Sequence, residues 1–277
     1  MMKPTGLLLF LSLALSGCAA PDAKTDQAPI RCAVIGGMMD SGLWQAVSER
    51  FEKATGQRVV VVAHGQKDRL AQAFLEEDAD LVTMHASDAI LNLVADGHAV
   101  DAQPWARNDL LLVGPPDDPA GIRDLKDGAE ALRRIAKAKA PFVLHSSLGA
   151  QEVLRTLMGD GEISLDPANT TMLLEPRARD VLQTAWAKKA YTLVGRIPFL
   201  DGRMPNPGLQ VLARGDARMR RPYLVAVANP KRISASRYAA AKKLAAFLRS
   251  PETQAWLAEY GKGKLDAQPL FFPVAVD

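Results

Sequence analysis

The stretch IRCAVIGGMMDSGLWQAVSERFEKATG, Ile30 to Gly56, decides how this chain is read. Cys32, Ala33, Val34 and Ile35 form a short apolar strand, and Gly36-Gly37 make a turn free of side-chain bulk. Asp40 or Ser41 is placed to cap the first free amides of the next helix. Leu43, Val47, Phe51 and Ala54 then recur at helical spacing up to Gly56, where a left-handed stop costs little. A strand that feeds a helix through glycines aims main-chain N–H groups at a crevice, which suits an anion. The same residues also make a plain strand-to-helix turn, so the pattern by itself leaves both readings open.

Outward from this unit the rhythm repeats. Val59–Ala63 is an unbroken apolar run, expected to be buried on both faces in a parallel sheet. His64-Gly65-Gln66 comes next, then Asp68 as an expected cap and a helix through Leu70, Ala73 and Phe74. Asp80–Met84 reads as a strand, His85–Asp88 as a turn, and Ala89–Ala95 as a helix with Ile90, Leu91 and Val94 inward. Three such units define a doubly wound α/β lobe, whose ligands bind beyond the carboxyl ends of the strands. The Gly37–Ser41, His64–Gln66 and His85–Asp88 turns fall there. Asp109–Val113 is a further strand, and the breaker cluster Gly114–Pro119 after it reads as a crossing to a second lobe. That lobe has a helix at Gly128–Lys139, a strand at Pro141–Leu144, and the small-residue turn His145–Gly149 opening a helix with Val153, Leu154 and Leu157. Arg177 and Arg179 precede a helix with Val181, Leu182, Ala185 and Trp186 inward, and Tyr191–Val194 and Leu209–Ala213 read as strands. Tyr223–Ala228 returns the chain, and two helices close it, Ala235–Leu248 and one opened by Ser250-Pro251.

The amino end is not fold. Lys3, the apolar Leu7–Leu15 and the sequence Leu15-Ser16-Gly17-Cys18 read as a secretion signal ending in a lipobox. Residues 1–17 are then a signal peptide, Cys18 carries lipid and anchors the protein to a bacterial membrane, and 18–29 is a tether. The chain has 2 cysteines, so Cys32 has no partner for a disulfide and is expected in a buried strand. With 34 basic against 31 acidic residues, bulk charge gives no case for nucleic acid. No nucleophile elbow, phosphate loop or paired histidines at i, i+4 occur, so no enzyme, metal or cofactor is expected. The basic cluster Arg214, Arg218, Arg220 and Arg221 reads as a solvated edge, and Met38-Met39 as core or the mouth of a pocket.

Several phrases go further. Asp40-Ser41-Gly42-Leu43, Phe51-Glu52-Lys53-Ala54-Thr55-Gly56, Asp78-Ala79-Asp80-Leu81-Val82, Asn108-Asp109, Val113-Gly114-Pro115 through Ile122, Ala190-Tyr191-Thr192-Leu193 and Val227-Ala228-Asn229-Pro230 are similar to the tungstate-binding branch of periplasmic solute-binding proteins. The likeness spans about Arg31 to Phe272. It implies a bilobed periplasmic-binding-protein-like α/β fold, two doubly wound lobes joined by two crossover segments: 30–114 with 225–277, and 115–224. It also implies a small oxyanion ligand between the lobes and an ABC permease partner in the inner membrane, with the protein monomeric. Hinge motion is expected at Val113–Pro116 and Tyr223–Ala226.

Where family members carry a Thr-Thr-Thr-Ser run, this chain has Val34, Ile35, Gly36 and Gly37. Where they carry an arginine and a serine in the second lobe, it has His145 and Leu148. Ligand contacts are therefore expected from Gly36, Gly37, Met38, Ser41, His64, Gly65, His145, Ser146 and Ser147, with Arg177 restoring positive charge. Two other readings stay open: a larger or organic anion, and a lipoprotein that keeps the scaffold for protein contacts.

Overall fold

A computed structural model describes Met1 and residues 28–146, 148–159, 162–174 and 177–275. The signal segment, Cys18 and Ser147 lie outside the described residues. In the first lobe β1 (Ile30–Ile35) runs into the short helix α1 (Gly36–Asp40) and then α2 (Leu43–Thr55). Gly42 between the helices has φ 76° and Gly56 beyond α2 has φ 72°, a region that favours glycine. Next come β2 (Val59–Gly65), α3 (Lys67–Glu76), β3 (Leu81–His85), α4 (Asp88–Ala95) and the 16-residue β4 (Ala99–Gly114). The second lobe holds α5 (Gly128–Lys137), β5 (Phe142–His145), α6 (Leu148–Met158), β6 (Thr170–Leu173), α7 (Ala178–Ala187), β7 (Tyr191–Gly195), α8 (Arg196–Leu200) and β8 (Gln210–Ala213). β9 (Arg220–Ala228) brings the chain back, and α9 (Ala235–Arg249) and α10 (Pro251–Leu257) finish it.

The strands order as β2-β1-β3-β9-β4-β7-β5-β6, with β8 also on β4. The β2-β1-β3 and β7-β5-β6 segments are parallel, which places helices over their faces, while β9 and β4 run antiparallel between them. β4 serves both lobes: Ala99–Asp109 pair with β9, and Leu110–Val113 pair with β7. Its alternating side chains then split between two cores of the second lobe. Leu110 and Leu112 pack with α5 and α6 residues, and Leu111 and Val113 with α7 residues. The first lobe has its own core around Trp44, Phe51, Phe74 and Trp105. There the Trp105 indole donates to Thr83 Oγ1 (2.8 Å), whose hydroxyl donates to the Leu224 carbonyl (2.9 Å). The fold is the expected bilobed α/β one.

Several local expectations are corrected. The crossing is made by β4 at Asp109–Leu110 and by the start of β9, not by the proline cluster. Gly114 already sits inside the second lobe, where a Cβ would meet Tyr191 and Leu212 at under 3 Å. Continuous strands carry the chain across, because the β4–β9 ladder runs up to Asp109↔Arg220 and the β4–β7 ladder takes over at Leu110. β2 is only partly buried, because it is the sheet's edge and has one neighbour. Leu91 is exposed, since α4 faces inward through Ile90 and Leu93, three residues apart; Trp186 is also exposed. Of the two residues expected to cap α2, Ser41 accepts from the Leu43 N–H (3.5 Å) and Asp40 does not, and Asp68 caps nothing, since the residue before α3 is Gln66.

One contact had no signal in the sequence. Arg196, at the start of α8, is 1% exposed and donates to Asp109 (2.7 Å), Asp266 (2.9 Å), the Leu270 carbonyl (3.1 Å) and the Pro269 carbonyl. It clasps the carboxy-terminal segment to the crossing strand.

Candidate functional site

The carboxyl ends of β1, β2 and β3 converge, as a doubly wound sheet requires, and there open into a cavity of about 700 Å³. Gly36, Gly37 and Asp40 line it from α1, His64, Gly65, Gln66, Lys67 and Asp68 from the β2–α3 passage, and His85 from the end of β3. Two residues close it from the other side: Gly149 in the first turn of α6 and Arg221 near the start of β9.

Each position has a local cause. Two glycines follow β1 directly, so α1 begins at once with no side-chain cap on its opening amides. A Cβ at Gly36 would come within 3.5 Å of the Gly65 carbonyl, and one at Gly37 only within 3.9 Å of Tyr223 Oη. Both sites have ordinary room. Gly149 is different, because a Cβ there would lie 2.1 Å from the Arg221 guanidinium. Only glycine lets that cation lie against the opening turn of α6. Lys67 is the first residue of α3, and Asn108 of β4 lies opposite Arg221 in the β4–β9 ladder. His85 lies opposite Tyr223, with ring centroids 3.9 Å apart.

The electrostatics are unusual. The Arg221 side chain is 13% exposed, and its one ion pair among the described residues, to Glu152, is 3.6 Å long, beyond ordinary hydrogen-bonding distance. Its Nη2, Lys67 Nζ, His85 Nε2 and Asn108 Oδ1 are buried without hydrogen-bond partners among the described residues. Burial, then the neighbouring Arg221, lowers the Lys67 ammonium below its ordinary value; burial likewise lowers Arg221. Burial, with Arg221 and Lys67 beside it, holds His85 well below 6.5, so its imidazole is neutral at pH 7. Helix amino ends carry positive potential, so a cation at each of two such ends is repelled by both dipoles. Glu152 favours both charged forms, and Asp68 and Asp88 that of Lys67, but burial outweighs them. At the mouth, Asp40 pairs with Arg203 of the second lobe at 3.0 Å.

Of the residues expected from sequence, Gly36, Gly37, His64 and Gly65 line this cavity. Met38 does not: it is wholly buried in the first core, since α1 turns it away from the cleft. Ser41 is buried too, its hydroxyl donating to the Met38 carbonyl (3.1 Å). His145 faces its own lobe, where Nε2 donates to the Leu193 carbonyl (2.8 Å), and the Ser146 amide is engaged by the Leu173 carbonyl (3.0 Å). Arg177 precedes α7 on the surface, 69% exposed and paired with Asp180 (2.9 Å). Sequence reasoning missed Lys67 and Arg221, whereas it places the His85–Asp88 turn at the ligand end of the strands and Gly149 in the turn that opens α6. The signal for Arg221 was its period-two alignment with Tyr223, Val225 and Val227, all buried on one strand.

A second cavity, about 550 Å³, lies at the opposite ends of the strands by Gln57 and Asp80. Its arginine, Arg237, is engaged by Asp78 (2.5 Å) and Asp80 (2.6 Å), so the same donor is satisfied there.

A two-lobed α/β receptor with its cleft at the strand ends is the class this geometry defines. The chain belongs to the bacterial extracellular solute-binding protein family, whose pattern matches residues 31–262. It is 28% identical over 278 residues to the tungstate-binding protein TupA of Peptoclostridium acidaminophilum, covering 97% of this chain and 96% of that protein. Among solved structures it is similar to tungstate-binding protein TupA from Desulfovibrio alaskensis G20, with TM-score 0.74, 26% identity, and 90% of this chain and 100% of that chain covered. The tungstate ABC transporter structure from Geobacter sulfurreducens superposes with TM-score 0.66 and 27% identity over 84% of this chain and 98% of that one. The protein is thus a solute-binding protein and not an enzyme. No helix among the described residues is long and apolar enough to cross a membrane.

Proposed function

We propose that this protein is the oxyanion receptor of an ABC importer, holding a small tetrahedral anion such as tungstate or molybdate in the cleft of Lys67 and Arg221. The observation that carries this reading is the pair of buried cationic donor atoms, Lys67 Nζ and Arg221 Nη2, without hydrogen-bond partners among the described residues. An unmet buried charge is strongly unfavourable, and a bound anion removes the penalty. The uncapped amides opening α1 at Gly36 and Gly37 add neutral donors, and His64 and Gly65 complete the wall. Glycines stand where relatives carry hydroxyl side chains, and the cations come from α3 and β9 in place of the second-lobe arginine. The names of the similar proteins support the ligand class and the transporter.

On this reading 30–109 with 223–275 and 110–219 move as two lobes about β4 and β9, closing on the ligand. Cys18 carries lipid and holds the protein at a bacterial membrane, where a monomer delivers its ligand to the permease. Titration calorimetry of the purified protein with tungstate, molybdate and sulfate is the test. Saturable heat at one site per chain is expected for at least one anion, and flat thermograms for all three contradict the proposal.

A further inference from the structure

The charge around the two cations is uneven. Glu152 stands three residues after Gly149 on α6, its Oε2 3.6 Å from Arg221 Nη2. It is also the foremost of three carboxylates that favour the charged form of Lys67, ahead of Asp68 and Asp88. Asp40 is matched by Arg203 at 3.0 Å, and His85 is neutral. Among the described residues Glu152 is therefore the carboxylate acting foremost on both cations, and its 3.6 Å approach to Arg221 is longer than an ordinary hydrogen bond.

We propose that Glu152 sets the charge the cleft accepts, lowering affinity for a doubly charged tetrahedral oxyanion more than for a singly charged one of the same shape. The inference rests on the oxyanion reading above. An incoming anion and the Glu152 carboxylate are drawn to the same guanidinium and ammonium. Their mutual repulsion scales with the anion's charge, so a dianion meets about twice the opposition that a monoanion does. Attraction to Arg221 and Lys67 scales in the same way, but Glu152 cancels part of it. Selectivity by a placed repulsive group needs no contact with the ligand. Glu152 is a positioning residue in this sense: half-exposed, outside the cavity wall, acting through Arg221 and Lys67.

Tungstate and perrhenate are the probes, tetrahedral oxyanions of similar size carrying two charges and one. Calorimetry at pH 8 gives the ratio of their affinities in the whole protein and in Glu152→Gln. That ratio is expected to shift toward tungstate by roughly tenfold in the variant, the scale of one partly screened charge. Glu152→Ala must shift it similarly, and Asp88→Asn, exposed and outside the cavity wall, by less than about threefold. Retained perrhenate binding certifies a folded cleft. An unchanged ratio in both Glu152 variants, with both anions bound, overturns this inference alone. Absence of heat with either anion in every protein overturns the oxyanion reading, and this inference falls with it.

Discussion

Two arginines near the crossing between the lobes share a chemistry and differ in their surroundings. Arg196 is buried with two carboxylates and two carbonyls around its guanidinium. Arg221 is nearly as buried, yet it has one loose ion pair and an Nη2 with no hydrogen-bond partner among the described residues. Burial of a cation is therefore not what marks a binding site. The mark is a donor whose partners the fold does not supply, since a folded chain otherwise satisfies such groups.

The comparison breaks most forcefully at Arg196. Arg196→Met leaves Asp109 buried without its cation and Asp266 with only Arg214 at 3.4 Å, and urea unfolding should show a loss of about 3–5 kcal/mol. Stability equal to wild type would mean the clasp is not structural. Arg221→Gln should do the reverse, weakening anion binding by about 100-fold in calorimetry while stability stays within about 1 kcal/mol. If it destabilised as much as Arg196→Met, the two arginines would be alike.

His85 sharpens the contrast through pH. Its imidazole is kept neutral by burial and by Arg221 and Lys67, so its folded pKa lies below the unfolded 6.5. The unfolded chain takes up a proton near pH 6.5 and the folded one resists it. This contribution to stability is complete above pH 6.5 and is lost as pH falls below it, by at most about 1.4 kcal/mol per unit. Urea midpoints of wild type and His85→Gln between pH 7.5 and 5 should diverge in that sense; parallel curves would show His85 charging freely. The smallest effect is expected at Gly37, where a Cβ meets only Tyr223 Oη at 3.9 Å. Gly37→Ser adds a hydroxyl donor and should tighten anion binding several-fold, about 1 kcal/mol, in the same calorimetric titration.

Much of the fold was legible because it is local. β1 and α2, α5, and the Ser250-Pro251 start of α10 carry their periodicity and breakers in short windows, whereas α1 is a helix where the glycine pair read as a turn. The long β4, the short α8 and the edge position of β2 depend on partners distant in sequence, so apolar runs could not reveal them. The site divides along the same line. Gly36, Gly37, His64 and Gly65 are placed by where strands end, whereas Arg221 reaches the cleft only because β9 pairs with β3 and β4. Four arginines in eight residues looked like solvent-facing charge, and Arg218 is such a case, paired at the surface with Asp127 and Asp216. Arg218 lies in the turn before β9, whereas Arg221 is on the strand itself.

The central claim is that Lys67 and Arg221 await an anion, and crystals grown with tungstate, or separately with perrhenate, test it most directly. The account predicts an anomalous-scattering peak within hydrogen-bonding reach of Lys67 Nζ and the Arg221 guanidinium, beside Gly36 and Gly37. A peak at Arg177, at His145 or in the Arg237 cavity, or no peak with either anion, would contradict it.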